Sequence, residues 1–513
     1  MSRVFNAATR LVTTNDELTT TLEGIECVMI ESMYLNNAGN LRRAWLANRR
    51  AMGIAQMMGL HVNATSRPIV VLERETQDRI GPQYMWFRLV VSDRYLSLML
   101  GLPQGTIESS FAEPKILDGC TPLERMERME SVAASLILHR KYKERIDPIS
   151  SQKIDTMLRD AAALMPPQWW LVDTKLTSIA GDSAKALEES VRLTTQFAHY
   201  HLLAQLHLPY ILLPSLQELN YDYNKMIAAN SSREVLMRFV AYRSSNSTPA
   251  YCRGIDFISF IASTTLCLAH MQAMRPQGIA STCTTFQSLQ HQRLSDRGLL
   301  ERTLEIMETM ALENDDVVAR KISSILRPLL AIESNSLKGG CYHISVSAEA
   351  YLREPQSMGD ADEGVSGVRI QIPYFGTIKI EHRPALSEQA GSGSRIATTI
   401  DRNLVVLGEP ASMVDCITSG DGYQEAQRRD YEYTIGQSVN TDWQTLASFS
   451  ESTGPINPNG GLVNSGTTGS KNKDLPAPSL AVDLDDWVLQ GVDMALFSSL
   501  TAGDIFDFTS HLG

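Results

Sequence analysis

The 513 residues carry a formal net charge of −12, with 43% hydrophobic and 20% charged side chains. That balance fits a soluble globular protein and excludes a chain that coats a polyanion along its whole length, since neutralising phosphates needs concentrated Lys and Arg. Seven cysteines, at 27, 120, 252, 267, 283, 341 and 416, never stand at CxxC spacing, so free and mostly buried thiols are expected rather than a metal cluster or disulfide framework.

The opening MSRVFNAATRLVTTND has no apolar core of signal-peptide type. From about residue 17 to 335 apolar residues recur at three- and four-residue spacing, and the breaks are short: GLPQG at 101, MPP at 165, LPYILLPS at 208 and MRPQG at 274. Helices separated by short breaks, with few strand runs, imply an all-α architecture.

RRAWLANRRAMGIAQMMGLH, from residue 42, predicts a helix closed near Gly59. Leu41, Ala44, Trp45, Asn48, Ala51, Met52 and Ala55 share one face, and Arg42, Arg43, Arg49 and Arg50 fall opposite. Platforms for single-stranded nucleic acid place aromatics beside basic groups. Here the tryptophan is expected on the core side, so the arginines read as a solvated or acid-paired stripe.

Further along, HRKYKER at 139 ends a predicted helix, where cations suit the negative end of the helix dipole; a nuclear-import signal is the rival reading. His199, His201 and His207 lack the i, i+4 spacing of zinc ligands on a helix, and packed core histidines are expected. The uncharged run from 257 to 274 contains Ser, Thr, His and Gln, which favours a buried core helix over a membrane span.

Motifs for common chemistries are missing. GSGSRI at 391 lacks the third glycine of a dinucleotide turn, and neither GxxxxGK[ST] nor GxSxG occurs. DADEG at 360 begins like a calcium loop but has Gln371 at its twelfth position. Asp315 and Asp316 are the only adjacent aspartates before the tail, too few for a magnesium-binding cyclase site.

After residue 336 the pattern changes. VRIQIPYFGTIKIE, 368 to 381, alternates apolar and polar residues around PYFG and predicts a β-hairpin with Gly376 in its turn, packed on the helical body because a lone hairpin is marginal. Residues 450 to 480 are rich in Gly, Ser, Asn and Pro and predict a disordered linker. The segment 481–513 has no Lys or Arg, and six aspartates alternate with Trp487, Leu489, Met494, Leu496, Phe497, Leu500, Ile505, Phe506 and Phe508. Such alternation fits an acidic activation segment, with a C-terminal helix docked on the protein's own body as the alternative.

Several stretches together resemble the fungal-specific transcription factor domain, the middle homology region of zinc binuclear cluster regulators. They are LEGIECVMIESMYLNNAGNLRRAWLANRRAMGIAQMMGLH, MWFRLVVSDRYLSLMLGLPQG, IDTMLRDAAALMPPQWW and HYHLLAQLHLPYILL, with IPYFGTIKI and DDWVLQGVDMALFSSL later. By that resemblance Trp45, Gly59, His61, Trp86, Asp93, Arg94, Tyr95, Gly101 and Pro103 are signature positions with a structural role. Two departures stand out: Leu102 replaces a usual Arg, and GPQYM replaces an arginine pair ahead of Trp86.

The six-cysteine zinc module of such regulators has no counterpart in this sequence, so zinc would belong only to a module beyond it, and DNA contact is expected to be indirect or through such a module. The expected organisation is a helical regulatory domain at 1–335, a hairpin-containing extension at 336–449, the linker at 450–480 and the activation segment at 481–513. The resemblance implies a nuclear, non-enzymatic regulator of RNA polymerase II genes, such as a metabolic or secondary-metabolite cluster. It would need no cofactor in this chain and would act through other transcription factors or coactivators, as a homo- or heterodimer. A decoy or co-repressor without activating function, and an all-α enzyme, are the alternatives.

Overall fold

The computed structural model describes residues 2–62, 81–140, 142–172, 183–213, 221–244, 252–273, 284–313, 316–337, 340–347, 367–373 and 375–383. Among them thirteen α-helices and one three-stranded sheet form. Helix formation starts earlier than expected from the spacing: α1 is Ser2–Ala8, followed by a π-helical turn at Thr9–Thr13 and the short α2, Asp16–Thr19. Next come α3 (Leu22–Asn37), α4 (Leu41–Met57), α5 (Pro82–Leu100), α6 (Pro114–Leu117), α7 (Pro122–His139) and α8 (Pro148–Ala162). The series ends with α9 (Ser183–His207), α10 (Asp222–Ser244), α11 (Arg253–Ala273), α12 (Thr284–Glu313) and α13 (Val317–Leu337).

Local chemistry sets these ends. Thr121 and Glu124 form a capping box ahead of α7, with Pro122 at its first position, where the missing N–H costs nothing. Asp147 accepts from the Ile149 and Ser150 amides to start α8, and Asp316 accepts from Val318 and Ala319 to start α13. Gly101 closes α5 at φ +68, a left-handed turn that lets the following loop double back over the helix. The breaks at 165 and 208 become 3₁₀ turns at Pro167–Trp170 and Leu208–Tyr210.

Sequential helices mostly pack as neighbours: α3 on α4, α4 on α5, α7 on α8, α9 on α10, α10 on α11 and α12 on α13. The uncharged run becomes α11, with 19 of its 21 residues buried, so it is long and apolar enough for a membrane span yet enclosed on all sides by protein. Phe257, Phe260, Leu266 and Leu268 on α11 pack with Phe239 of α10, Met307 of α12 and Leu329 of α13 in the main core. A second core lies under Trp86, Phe87 and Phe111, and a third joins Leu98, Leu158 and Leu206.

The expected hairpin is present as β2 (Gly367–Ile372) and β3 (Gly376–Arg383), antiparallel, with Ile372 opposite Gly376 at the turn. A third strand, β1 (Cys341–Ser347), pairs with the other edge of β3, giving the order β1-β3-β2. Register explains the packing. Ile344 and Val346 of β1, Ile370 and Ile372 of β2, and Ile378 and Ile380 of β3 share one face, while Ser345, Lys379 and Arg369 share the other. Ile370, Ile372, Ile378 and Ile380 are buried in the same core as α11. The GSGSRI and DADEG loops, Asp315, the linker 450–480 and the segment 481–513 lie outside the described residues.

Candidate functional site

Helix α5 reads MWFRLVVSDRYLSLML, and its two adjacent charges sit in an otherwise apolar stretch. Charges on such a helix are expected to be buried only if paired and hydrogen-bonded, and both are. Asp93, fully enclosed, accepts the Gly105 amide on Oδ2 at 2.6 Å and meets Arg49 Nε on Oδ1 at 2.6 Å. Arg94, 1% exposed, donates to the Ser131 carbonyl and hydroxyl at 3.0 Å each and to the Glu108 carbonyl at 2.6 Å. One residue apart on α5, the two therefore clamp different things: Asp93 fixes α4 and the GLPQG loop, and Arg94 ties that loop's continuation to α7.

The other signature positions fill in around this hub. Trp45 Nε1 donates to Ser97 Oγ at 3.1 Å, and that hydroxyl donates to the Pro103 carbonyl at 3.2 Å, which also accepts from Arg49. Trp86 Nε1 donates to Glu108 Oε2 at 2.7 Å, and His61, exposed beyond the φ +82 turn at Gly59, lies tilted 5.9 Å from the Trp86 ring. Tyr95 points away from the hub: a Cβ at Gly254 would fall 2.0 Å from its hydroxyl, so Tyr95 seats the first turn of α11.

Burial drives the titration of these groups. It pushes the Asp93 carboxyl up, against the Gly105 amide and Arg49, and pushes Arg94 down to about 10 against Glu108 and Asp93. Arg94 thus stays cationic at neutral pH. Burial also pushes the Tyr95 phenol up.

The arginine stripe requires a correction. Trp45 does not stand apart from the arginines: the Arg49 guanidinium lies 4.6 Å from its ring centroid, reaching round the helix because Asp93 and the Pro103 carbonyl draw it there. Arg50 pairs with Asp16 at 3.4 Å. The acid-paired half of the expectation holds; the separation of aromatic from basic face does not. Gly105, Glu108 and Ser131 also belong to the hub, and nothing in their own sequence surroundings marks them. Their partner, an Asp-Arg pair inside an apolar helix, was the available signal.

The histidines are packed, each in its own surroundings. His199 Nδ1 meets Glu130 Oε1 at 2.8 Å, His207 Nε2 meets Asp155 Oδ1 at 3.2 Å, and His201 is buried with its imidazole pushed down to about 4 by loss of water. Among the described residues no three His, Cys, Asp or Glu side chains gather as metal ligands would. Asp316 is spent on its helix cap and on Arg253. Of the four cysteines whose side chains are described, all free, Cys267 is buried and Cys27, Cys120 and Cys252 are half-buried, so among these four the expectation of mostly buried thiols is not met.

Other buried pairs repeat the hub's logic. Arg243 and Arg253 meet Asp256, Arg233 and His270 meet Asp296, and Arg293 and Arg297 meet Glu333. Each ties two or more helices, and the polar groups are directed at one another instead of into a shared cleft. Such an arrangement holds helices in register.

No family model matches the chain, and no solved structure matches it. A dehydrocurvularin biosynthesis regulator of Alternaria cinerariae is 34% identical over 98% of this chain and 68% of its own length. A regulator of the same name from Aspergillus terreus is 34% identical over 98% and 67%. Transcription factor eupR of a Phoma species is 46% identical over 217 residues, 41% of this chain. Matched at this identity over nearly its whole length, the chain belongs to the family of fungal transcription regulators.

Proposed function

We propose that this protein regulates transcription of a secondary-metabolite gene cluster in the fungal nucleus, acting by binding and not by catalysis. The observation that supports this most is 34% identity along 98% of the chain to regulators named for the biosynthesis of one such metabolite. The polar interior supports the non-enzymatic part: Asp93, Arg94, Asp256 and Glu333 are consumed in helix-to-helix pairing. In this reading the helical body presents segment 481–513 to a coactivator, and DNA is reached through a partner chain or a separate module.

Deleting the gene and measuring cluster transcripts tests the function: transcripts of one adjacent biosynthetic cluster should change while housekeeping transcripts do not, and an unchanged set would refute it. Fusing 481–513 to a heterologous DNA-binding module separates activator from decoy. Reporter output should rise, and should fall again when Trp487, Phe497 and Phe506 are changed together to alanine. A silent fusion would favour the decoy or co-repressor.

A further inference from the structure

The two outer strands of the sheet differ in cover. On β2, Ile370, Gln371 and Ile372 are all buried, Gln371 from the polar face, so protein encloses that strand on both sides. On β1 no described side chain is buried: His343 is exposed, and Tyr342, Ile344, Ser345, Val346 and Ser347 are half-buried. Their neighbours on β3, Ile378 and Ile380, are enclosed, so the apolar face loses its cover on passing from β3 to β1.

Helix α13 delivers β1 to this edge. The Gly340 amide donates to the Asn335 carbonyl at 3.0 Å, and the seven residues that follow pair with β3 without a bulge. The outer side of β1 faces no further strand among the described residues. An outer strand presents a row of backbone donors and acceptors, and Lys, Pro or a bulge commonly guards it against a second chain. CYHISVS has none of these, and no Arg, Asp, Glu or Gly.

An unguarded edge of this length accepts a further strand, and β1 itself has the matching sequence. Read antiparallel with Ile344 on a two-fold axis, Ile344 faces the partner's Ile344, Tyr342 faces the partner's Val346, and His343 faces the partner's Ser345. The apolar row Val368, Ile380, Ile344 then runs on into the partner's Ile344 and the partner's Ile380. On the polar face, Lys379 beside Ser345 enters the same row as the partner's Glu381, so no like charges meet across the seam. A slip of one residue would set Ile344 against the partner's Ser345 and turn one apolar face outward, which fixes the register.

We propose that β1 pairs antiparallel with β1 of a second copy of this chain, joining the two three-stranded sheets into one continuous sheet. The contact is strand addition with the same patch on both sides, so it closes on itself and assembly stops at two chains. One strand pair is a small interface, and a dissociation constant of about 1–100 μM is expected. Dimerisation goes beyond the transcriptional reading and is measured as mass, so either can fail without the other.

The test is sedimentation of the full chain from about 1 to about 200 μM, over which the mass should climb from one chain to two. His343→Lys with Ser345→Lys sets lysines opposite each other twice across the seam and should weaken the dimer about tenfold or more. His343→Lys with Ser345→Glu sets lysine opposite glutamate at the same two places and should leave the dimer at least as tight. Circular dichroism shows whether each variant folds. If one does not, hydrogen exchange on the unaltered chain still decides: amides of 341–347 should exchange more slowly at about 100 than at about 2 μM, and those of α12 equally at both. A single-chain mass throughout would overturn the proposal and leave the edge to a segment of the same chain or to another protein. So would a dimer indifferent to the lysine pair, or exchange at β1 that does not depend on concentration.

Discussion

Asp93, fully enclosed, accepts the Gly105 amide and pairs with the Arg49 guanidinium, two partners from different segments. Asp93→Ala would strand both, one of them charged, and should cost about 3–5 kcal/mol in urea unfolding, while Asp93→Asn, which keeps an acceptor, should cost less. Gly105→Ala tests the same contact from the loop side, because its methyl would lie 2.6 Å from Arg49 Nη1 and force that side chain off Asp93. His201 makes a pH prediction. Its imidazole is pushed down to about 4 by burial, so the folded state keeps it neutral while the unfolded chain takes up a proton near the ordinary histidine value of about 6.5. The stabilisation is therefore complete above about pH 6.5 and is lost as pH falls toward 4, by up to about 3 kcal/mol. His201→Leu should match the wild type within about 1 kcal/mol at pH 7 and gain on it at pH 5. A stability gap that stays constant between those two pH values would mean that the folded imidazole is not held neutral.

Helices and strands differ in how much of them a single chain reveals. Spacing placed α4, α5 and α11 because apolar periodicity and capping residues are local, and Gly101 marked the end of α5. The hairpin is legible from its alternation; CYHISVS alternates too, with Tyr342, Ile344 and Val346 on one face, but it is short and its partner β3 lies some thirty residues later, so nothing local marks it as a strand. Arg49 departs from the stripe because helical geometry fixes where a Cβ points and not where a long side chain ends; Asp93, forty-four positions on, decides that. The same limit applies to polar residues inside α11. Ser259, Thr264 and Thr265 each donate to the carbonyl four residues earlier, whereas the Ser263 hydroxyl is buried without a partner. Ser263→Ala should therefore raise the thermal midpoint, by about 1 kcal/mol of stability, and Thr265→Val should not. In the sheet, Ile378→Ala on the central strand should cost about 2–4 kcal/mol, since that side chain is fully enclosed in the core shared with α11.

At the scale of the molecule the question is what an acidic protein with an arginine-bearing helix does near DNA. Sequence-independent DNA affinity grows with the number of phosphates that free cations neutralise. Here Arg49 is bound to Asp93 and to the Pro103 carbonyl, Arg50 to Asp16, and Arg233, Arg243 and Arg293 to carboxylates of neighbouring helices, against a net charge of −12. Releasing Arg49 to reach a phosphate would strand Asp93 in the core, at the same cost as breaking the pair by mutation. The helical body should then bind duplex DNA no better than a generic acidic protein. Anisotropy of a labelled duplex, read at about 50 and about 200 mM salt, should stay flat up to roughly 10 μM protein. Phosphate contacts by the stripe would instead give a rise at the lower salt that collapses at the higher one, and charge reversal at Arg42, Arg43 and Arg50 would abolish it. A flat response together with a working promoter in the cell would leave DNA recognition to a partner or to a separate module, with this body supplying the surface that joins them.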